Sequence, residues 1–511
     1  MNLPRSFDAL RRPLLAAALM ALVACATLVA GMGSVATARA AEDLPSIGSP
    51  SDTLLSRERE LAIGRAIFRS LRDTERVMTD PEIQEYVQSL GQRLGVHAQE
   101  GGFTFNFFMV QDGAINAFAL PGGYIGIHSG LLLATQRESE LAGVVAHEIA
   151  HVTQRHISRA VYANQRASIL SMAAMLGAIL VGAAVGADAE MISGAVMGVQ
   201  SAAIQQQINF TRANEYEADR VGVGILAAAG FDPMGMPAFF ETLARQTGPL
   251  AAQAPEFLRT HPVTVNRVAE TRARAAGYAV EPLSDSMGYA LAKARVRVLT
   301  SQTPERALAW FQEREDEAAG QPDIGIAYGL ALSRMALGQY QQAHDRFAAL
   351  RAANEAVIPF HSGLAAAQLA LGRTAEAMAT YEQAMALFPR NVPLTIHYAE
   401  ALMQTGEAKL AHRILLDLLN NVRPTPEQVR LIALAASAAG DTADAHYYMA
   451  EYHLLKGDLR MAADQLRLAL SMPELDPVQR GRFSSRLDQI VEFLPRDDPR
   501  ARSSSNLDGP R

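Results

Sequence analysis

Apolar and polar positions alternate along the first 280 residues in patterns that change every few dozen positions. Over residues 57–96 the spacing is helical: Ile63, Ile67 and Leu71 are four apart and share one face. Phe103 to Val110 instead concentrates strand formers, and Asp112-Gly113 after it marks a turn. Ile115–Leu120 and Tyr124–His128 read as short strands around the turn Pro121-Gly122-Gly123. A helix is expected from about Thr135, where Thr135 and Glu138 have capping-box spacing, with Leu141, Val144, Val145, Ile149 and Val152 as its apolar positions. Further helices are expected from Arg212 to Ala229, closed by Gly230 before Asp232-Pro233, and from Val263 to Ala276, closed by Gly277.

Two stretches are apolar throughout. Pro13 to about Met32 follows the basic residues Arg5, Arg11 and Arg12 and precedes Ala38-Arg39-Ala40, a small-x-small cleavage pattern. Residues 1–40 therefore read as a secretory signal peptide. An uncleaved anchor is the alternative, because the run is long for a leader. Leu22-Val23-Ala24-Cys25 also matches a bacterial lipobox, although apolar residues continue beyond it, and Arg11-Arg12 is at most a weak twin-arginine signal. The second stretch spans 169–204, with Asp188 and Glu190 between two uncharged runs. The first run, Ile169–Ala187, is long enough to cross a bilayer, but its Ala, Gly and Ser content favours a buried or surface-dipping helical hairpin.

The C-terminal part is periodic. Gly338, Gly372, Gly406 and Gly440 are 34 residues apart; each is followed five residues later by Ala (Ala343, Ala377, Ala411, Ala445) and nine later by a bulky apolar residue (Phe347, Tyr381, Leu415, Met449). This resembles the tetratricopeptide repeat, with Gly at the turn between two helices and Ala where they touch. Gly457, Ala462 and Leu466 keep the spacing half a period on, and Ala307 with Phe311 suggests an earlier, degenerate repeat. Stacked repeats form a solenoid whose concave surface typically binds protein; a purely structural or dimerising array is the alternative. The polar tail from Arg496 reads as disordered.

Composition narrows the chemistry. The 511 residues suffice for two to four domains, and abundant Ala with only 6% aromatic content favours helix. Cleavage after Ala40 removes four Arg and one Asp, leaving 42 basic against 52 acidic residues, a net −10 that argues against nucleic acid as a main partner. Cys25 is the only cysteine, so the mature chain offers neither disulfides nor thiolate ligands, and any metal must sit on His and carboxylates.

His147-Glu148-Ile149-Ala150-His151 meets that requirement. Spacing i, i+4 puts both imidazoles on one helix face, where they can reach one ion, with Glu148 beside them able to take a proton from water at the metal. Two histidines and a glutamate inside an otherwise apolar helix are hard to explain structurally. A catalytic zinc needs a third protein ligand. His156 is not read as that ligand: it lies five residues after His151, where a metzincin needs six with Gly between, and an outer-sphere or solvent-exposed position suits it better. Glu215 is the better candidate, with Asp219 one turn on to orient an imidazole and Glu217 pointing elsewhere into solvent.

The His147–His151 motif, Glu215-x-x-x-Asp219 and Asn116 to Gly123 together resemble the zincin family of the HtpX heat-shock protease and the CAAX prenyl proteases. The export signal, Thr260-His261-Pro262 and the repeats narrow the resemblance to its periplasmic, repeat-bearing members, over nearly the whole mature chain. It implies a mainly α protein: a signal peptide (1–40), an α+β zincin-type metalloprotease domain (41–285, with 169–204 inserted), an α-solenoid of tetratricopeptide-like repeats (286–490) and a disordered tail (491–511). It implies one Zn2+ on His147, His151 and Glu215, with Glu148 as general base and then acid and Asp219 holding a ligand imidazole. His261 would either cap the metal or stabilise the oxyanion, and Arg267, one turn into the next helix, is a further oxyanion candidate. The implied partners are unfolded or misassembled outer-membrane proteins, bound as extended chain against the Tyr124–His128 strand, and the barrel-assembly machinery, bound by the repeats, with peripheral membrane contact through 169–204. A chaperone or scaffold with secondary proteolysis is the competing function. An integral-membrane prenyl-protein protease is disfavoured, because one or two helices cannot enclose a chamber in the bilayer.

Overall fold

The computed structural model describes residues 55–494 except 75, 99–101, 166–210, 248–255, 280–283, 319, 322, 421, 423 and 474. The expected signal peptide and the apolar stretch 169–204 lie outside the described residues; of the expected disordered tail 491–511, Val491 ends a helix and Leu494 packs into the last core cluster, and residues from 495 lie outside. Among the described residues, no helix is long and apolar enough to cross a membrane.

Three strands, β1 (Asn106–Val110), β2 (Ala117–Leu120) and β3 (Tyr124–His128), form a small sheet in the order β1-β3-β2. β3 runs parallel to β1 and antiparallel to β2. Tyr124–His128 is therefore the centre of the sheet, hydrogen-bonded on both sides, and the expectation that it offers a free edge is overturned. Among the described residues, the edge strands of this sheet are β1 and β2. Spacing along the chain predicts strands but not which lie adjacent, and here the parallel partner arrives from before the hairpin.

The β2–β3 turn carries Gly122 and Gly123 at φ 77° and 87°, a region that costs glycine nothing. Helix Arg57–Asp73 lies directly on this turn: a Cβ on Gly64 would stand 1.8 Å from the Pro121 carbonyl oxygen. That close approach decides which face of the helix is buried. Glu60 and Gly64 point inward, and the apolar face of Ile63 and Ile67 stays exposed. Glu60 meets a hydroxyl and a guanidinium there, from Ser158 and Arg155.

Helix Glu138–Thr153 runs through the middle of the domain; every residue of it except His151 is buried. It begins three residues later than expected. Thr135 instead closes the short helix Ser129–Ala134, and Glu138 turns its carboxylate to Tyr86 and Ser286 rather than to a cap. Gly143 lets the helix touch helix Gly235–Thr247, with 3.0 Å between a notional Cβ and Met236 Cα. Helical residues 211–228 follow, ending at Gly230 with φ 77°. The expected helix from 263 starts at Val265, because the Thr264 hydroxyl caps it.

From Met287 to Val491 the chain is a series of paired antiparallel helices. The four periodic glycines all have positive φ, between 72° and 88°, at the turns inside the repeats. Ala343, Ala377 and Ala411 are fully buried, as are the rings of Phe311 and Phe347. Gly329 and Gly363, also 34 apart, receive those rings: a Cβ on either would stand 2.3–2.4 Å from a ring carbon. The same repeat position holds Arg295 one repeat before these glycines and His397 one repeat after them, and both turn toward the N-terminal half. Arg295 pairs with Asp80 at 2.8 Å and Glu82 at 3.1 Å, and His397 meets Glu82 at 2.9 Å, at the start of helix Pro81–Gly95. Asn391 adds a bond to Glu85 at 2.7 Å, Arg72 pairs with Glu427, and Lys456 reaches Asp73 at 2.9 Å. The array thus packs on the two helices Arg57–Asp73 and Pro81–Gly95.

Burial opposes a charge on His397, but Glu400 and Glu82 outweigh it and raise its pKa from 6.5 to about 9. Burial likewise opposes the Glu82 carboxylate, yet His397 and Arg295 hold it at about 2. The His397 contribution to stability is fully present below pH 6.5 and lost as pH rises through about 9; the Glu82 contribution is present above 4.5 and lost as pH falls toward 2. Urea denaturation of wild type beside His397→Gln should show a stability gap widest between pH 4.5 and 6.5 and closing by about pH 10. A gap independent of pH would show that the contact is not an ion pair.

Candidate metal centre

Four side chains from three separate segments converge. His147 and His151 come from the buried helix Glu138–Thr153, Glu215 from helical residues 211–228, and His261 from just after the short helix Glu256–Thr260. One ligand atom from each lies within 4.8 Å of the others. His147 Nε2 stands 3.0 Å from His151 Nε2 and 3.3 Å from His261 Nδ1. Glu215 oxygens lie 3.5, 3.4 and 3.1 Å from the same three nitrogens in turn. Bonds of about 2.0–2.1 Å at tetrahedral angles set neighbouring ligand atoms roughly 3.3 Å apart, so the donor set fits a single small cation.

Charge points the same way. Glu148, Glu215 and Asp219 are all at least 95% buried around this point, and the cation beside them is Arg267, itself 2% exposed. With neutral imidazoles the group carries a formal −2, which a divalent ion would cancel. Without one, the histidines supply charge. Burial disfavours a proton on His147, but Asp219 and Glu215 overcome it and raise its pKa to about 9. Burial and the neighbouring His147 push His151 well below its ordinary value. Glu215, despite burial, is held far below the carboxylate range by His147 and His261. Glu148 Oε1 is buried without a hydrogen-bond partner among the described residues; His261 Nε2 stands 3.5 Å from it.

Each element is fixed from behind. Asp219, one turn after Glu215, places Oδ1 3.0 Å from His147 Nδ1. Arg267 donates to both Asp219 oxygens at 2.7 and 2.8 Å, to the Pro262 carbonyl at 2.8 Å, and meets Glu215 at 2.9 Å. These contacts commit its guanidinium to the carboxylates, and the oxyanion role weighed for it gives way to a holding one. Gly222, on the Asp219 helix, allows close approach to the motif helix, with 3.1 Å between a notional Cβ and the His147 nitrogen. Phe257 stacks on His261 at 4.8 Å, and its backbone N–H donates to the Ile115 carbonyl, which ties the histidine to the start of β2. Phe257 and Gly222 were not legible as site residues; a buried Phe and a helical Gly carry no chemical signal.

One expectation changes, and one of two alternatives is excluded, the solvent-exposed position for His156. Glu217 is only partly exposed and is paired: it accepts from Arg159 at 2.8 Å and lies 3.3 Å from His156 Nε2. His156 is buried, with Nδ1 2.8 Å from His151 Nδ1.

The family model of peptidase family M48 matches residues 78–275, and a tetratricopeptide repeat model matches 368–435. With the fold and the convergent ligand cluster, these define the chain as an M48 metallopeptidase carrying tetratricopeptide repeats. The Beta-barrel assembly-enhancing protease of Escherichia coli (strain K12) is 33% identical over 478 residues, covering 93% of this chain and 97% of that protein. The protein of the same name from Yersinia pestis is 31% identical over 482 residues, with the same coverage. The Mitochondrial metalloendopeptidase OMA1 of Arabidopsis thaliana is 27% identical over 188 residues, 37% of this chain and 35% of that one. The chain belongs to the beta-barrel assembly-enhancing protease family.

Replacing Arg267 by Met leaves two buried carboxylates without their guanidinium and should cost the metal-free protein about 3–5 kcal/mol in urea denaturation. Adding Asp219→Asn should recover part of that loss rather than add to it. Simple additivity of the two substitutions would refute the pairing.

Proposed function

We propose that the protein is a periplasmic zinc endopeptidase that degrades outer-membrane proteins failing to assemble, and that its repeats engage those proteins or their assembly machinery. The observation that carries the reading is the convergence of His147, His151, Glu215 and His261 with Glu148 beside them. Nitrogen and oxygen donors with no thiolate, in a tetrahedral spacing, suit zinc. The outer-membrane substrates and the periplasmic site are supported by the names of the relatives and by the leader-like residues 1–40. The proposed domain limits are 41–285 for the peptidase and 286–490 for the repeats.

A bound zinc ion supplies Lewis acidity, polarising the scissile carbonyl and making water acidic near neutral pH. His147, His151 and Glu215 would hold it, and Asp219, 3.0 Å from His147 Nδ1, would fix that ring with Nε2 toward the cluster. Glu148 removes the proton from the attacking water and returns it to the leaving amine. Extended substrate adds to β2, the edge strand packed against the motif helix, through backbone hydrogen bonds that ask for unfolded chain rather than a side-chain code.

His261 gives this site a resting state. Its Nδ1 lies 3.3 Å from His147 Nε2 and its Nε2 3.5 Å from Glu148, so it would stand as a fourth donor to a bound ion while facing the base. This favours latched proteolysis, and with it the second reading, an assembly scaffold whose protease acts on demand.

Zinc content and casein cleavage of the mature chain test the proposal. Wild type and Glu148→Gln should each bind one zinc, with cleavage reduced about 10²–10⁴-fold in the variant. His261→Ala should raise cleavage; a fall of about 10²–10³-fold would make His261 an oxyanion stabiliser instead. Absence of zinc in all three would refute the ligand assignment.

A further inference from the structure

We infer that His156, backed by Glu217 and Arg159, is the positioning group for the metal-facing imidazole of His151. The inference rests on the proposed metal site and extends it to residues outside the ligand motif.

On an uninterrupted helix, a residue five places after His151 would point well away from it, since each residue turns about 100°. The chain breaks that geometry. Helix Glu138–Thr153 ends at Gln154, and Arg155 adopts φ 53°, the left-handed region a non-glycine residue enters at a cost. A new helical stretch, 156–165, starts at once. The reversal returns the His156 ring onto the back of His151, ring centroids 4.7 Å apart and nearly perpendicular at 79°. Arg155 is held in this conformation from several sides: it donates to the Leu55 carbonyl at 2.8 Å and the Ser158 hydroxyl at 3.4 Å, and lies 3.5 Å from Glu60.

The contacts assign the protons. His151 turns Nε2 to the cluster, so a metal there requires a lone pair on Nε2 and the proton on Nδ1. That Nδ1–H donates to His156 Nδ1 at 2.8 Å, which must then be the acceptor. The His156 proton is left on Nε2, 3.3 Å from Glu217 Oε2, and Arg159 donates to the same oxygen at 2.8 Å. Every proton in the series has one place consistent with its partners, and the carboxylate at the outer end favours that arrangement over its reverse. His147 reaches the same result by a shorter route, with Asp219 directly behind its Nδ1. The two imidazoles therefore have separate supports, Asp219 with Arg267 for one and His156 with Glu217 for the other. Groups in this position typically contribute about 10–100-fold to metal affinity.

Zinc affinity of the full mature chain, measured by competition with a chromophoric chelator, tests the assignment, with the cobalt(II) absorption spectrum as a second readout of ligand geometry. His156→Ala should weaken zinc binding by about 10–100-fold and shift the cobalt bands, with the melting temperature of the metal-free protein little changed. His156→Asn, whose amide oxygen can stand where Nδ1 was, should restore affinity to within a few-fold of wild type. Glu217→Gln should fall between the two. Wild-type zinc affinity in His156→Ala, or equal weakening by Ala and Asn, would overturn the proposal. If His156→Ala fails to fold, the Asn and Gln variants decide alone, a wild-type affinity in both His156→Asn and Glu217→Gln counting against a role for the pair. His151→Ala separates this failure from failure of the metal reading: undiminished zinc binding there would sink both.

Discussion

Three carboxylates buried around one point, faced by a single guanidinium, are the constraint on which the catalytic half is built. Leaving such an excess of negative charge unbalanced inside a protein costs several kcal/mol per charge, far beyond what small adjustments of packing recover. The chain meets part of that cost itself. Arg267 spans Asp219 and Glu215 and offsets one of the three charges. The remainder is an electrostatic demand for a cation held by nitrogen and oxygen. The motif helix is buried almost all round, and the helix bearing Glu215 packs on it through Gly222, so the demand is confined to one place and geometry.

The rest of the molecule serves that rigidity. Turns at Gly122 and Gly123 let helix Arg57–Asp73 lie against the hairpin, and Glu60 on that helix is joined to Arg155 and Ser158, directly behind the motif. The repeat array closes on the same region from the other side. One repeat position holds glycine where a neighbouring aromatic ring must enter, and Arg295 or His397 where the array meets Asp80 and Glu82. A position that serves packing in two repeats thus serves docking in the repeats that flank them. The two halves share buried ion pairs at Asp80 and Glu82.

Much of this was legible in the sequence, for identifiable reasons. His147, Glu148 and His151 stood out because i, i+4 spacing is a helical signature, and Glu215 with Asp219 because the same spacing recurs on a later helix. The repeats were legible because glycine with positive φ recurs every 34 residues. What was hidden depended on the third dimension. The sheet order put β3 rather than β2 in the centre, which no local pattern reveals. Glu217 looked solvated because its partners, His156 and Arg159, lie about sixty residues earlier. His156 was set aside as a ligand on its spacing from His151, and the choice between an outer-sphere and an exposed position waited on the turn at Arg155, which returns its ring to His151. Thr135 and Glu138 had capping-box spacing, but Glu138 found stronger partners in Tyr86 and Ser286.

X-ray absorption spectroscopy of the zinc-loaded mature chain at rest examines the central claim most directly. Four protein ligands closing on one ion predict a zinc edge and fine structure fitted by four nitrogen or oxygen donors at about 2.0–2.1 Å, three of them imidazole, with one imidazole lost in His261→Ala. A resting site with only two imidazoles, unchanged by that substitution, would contradict the account.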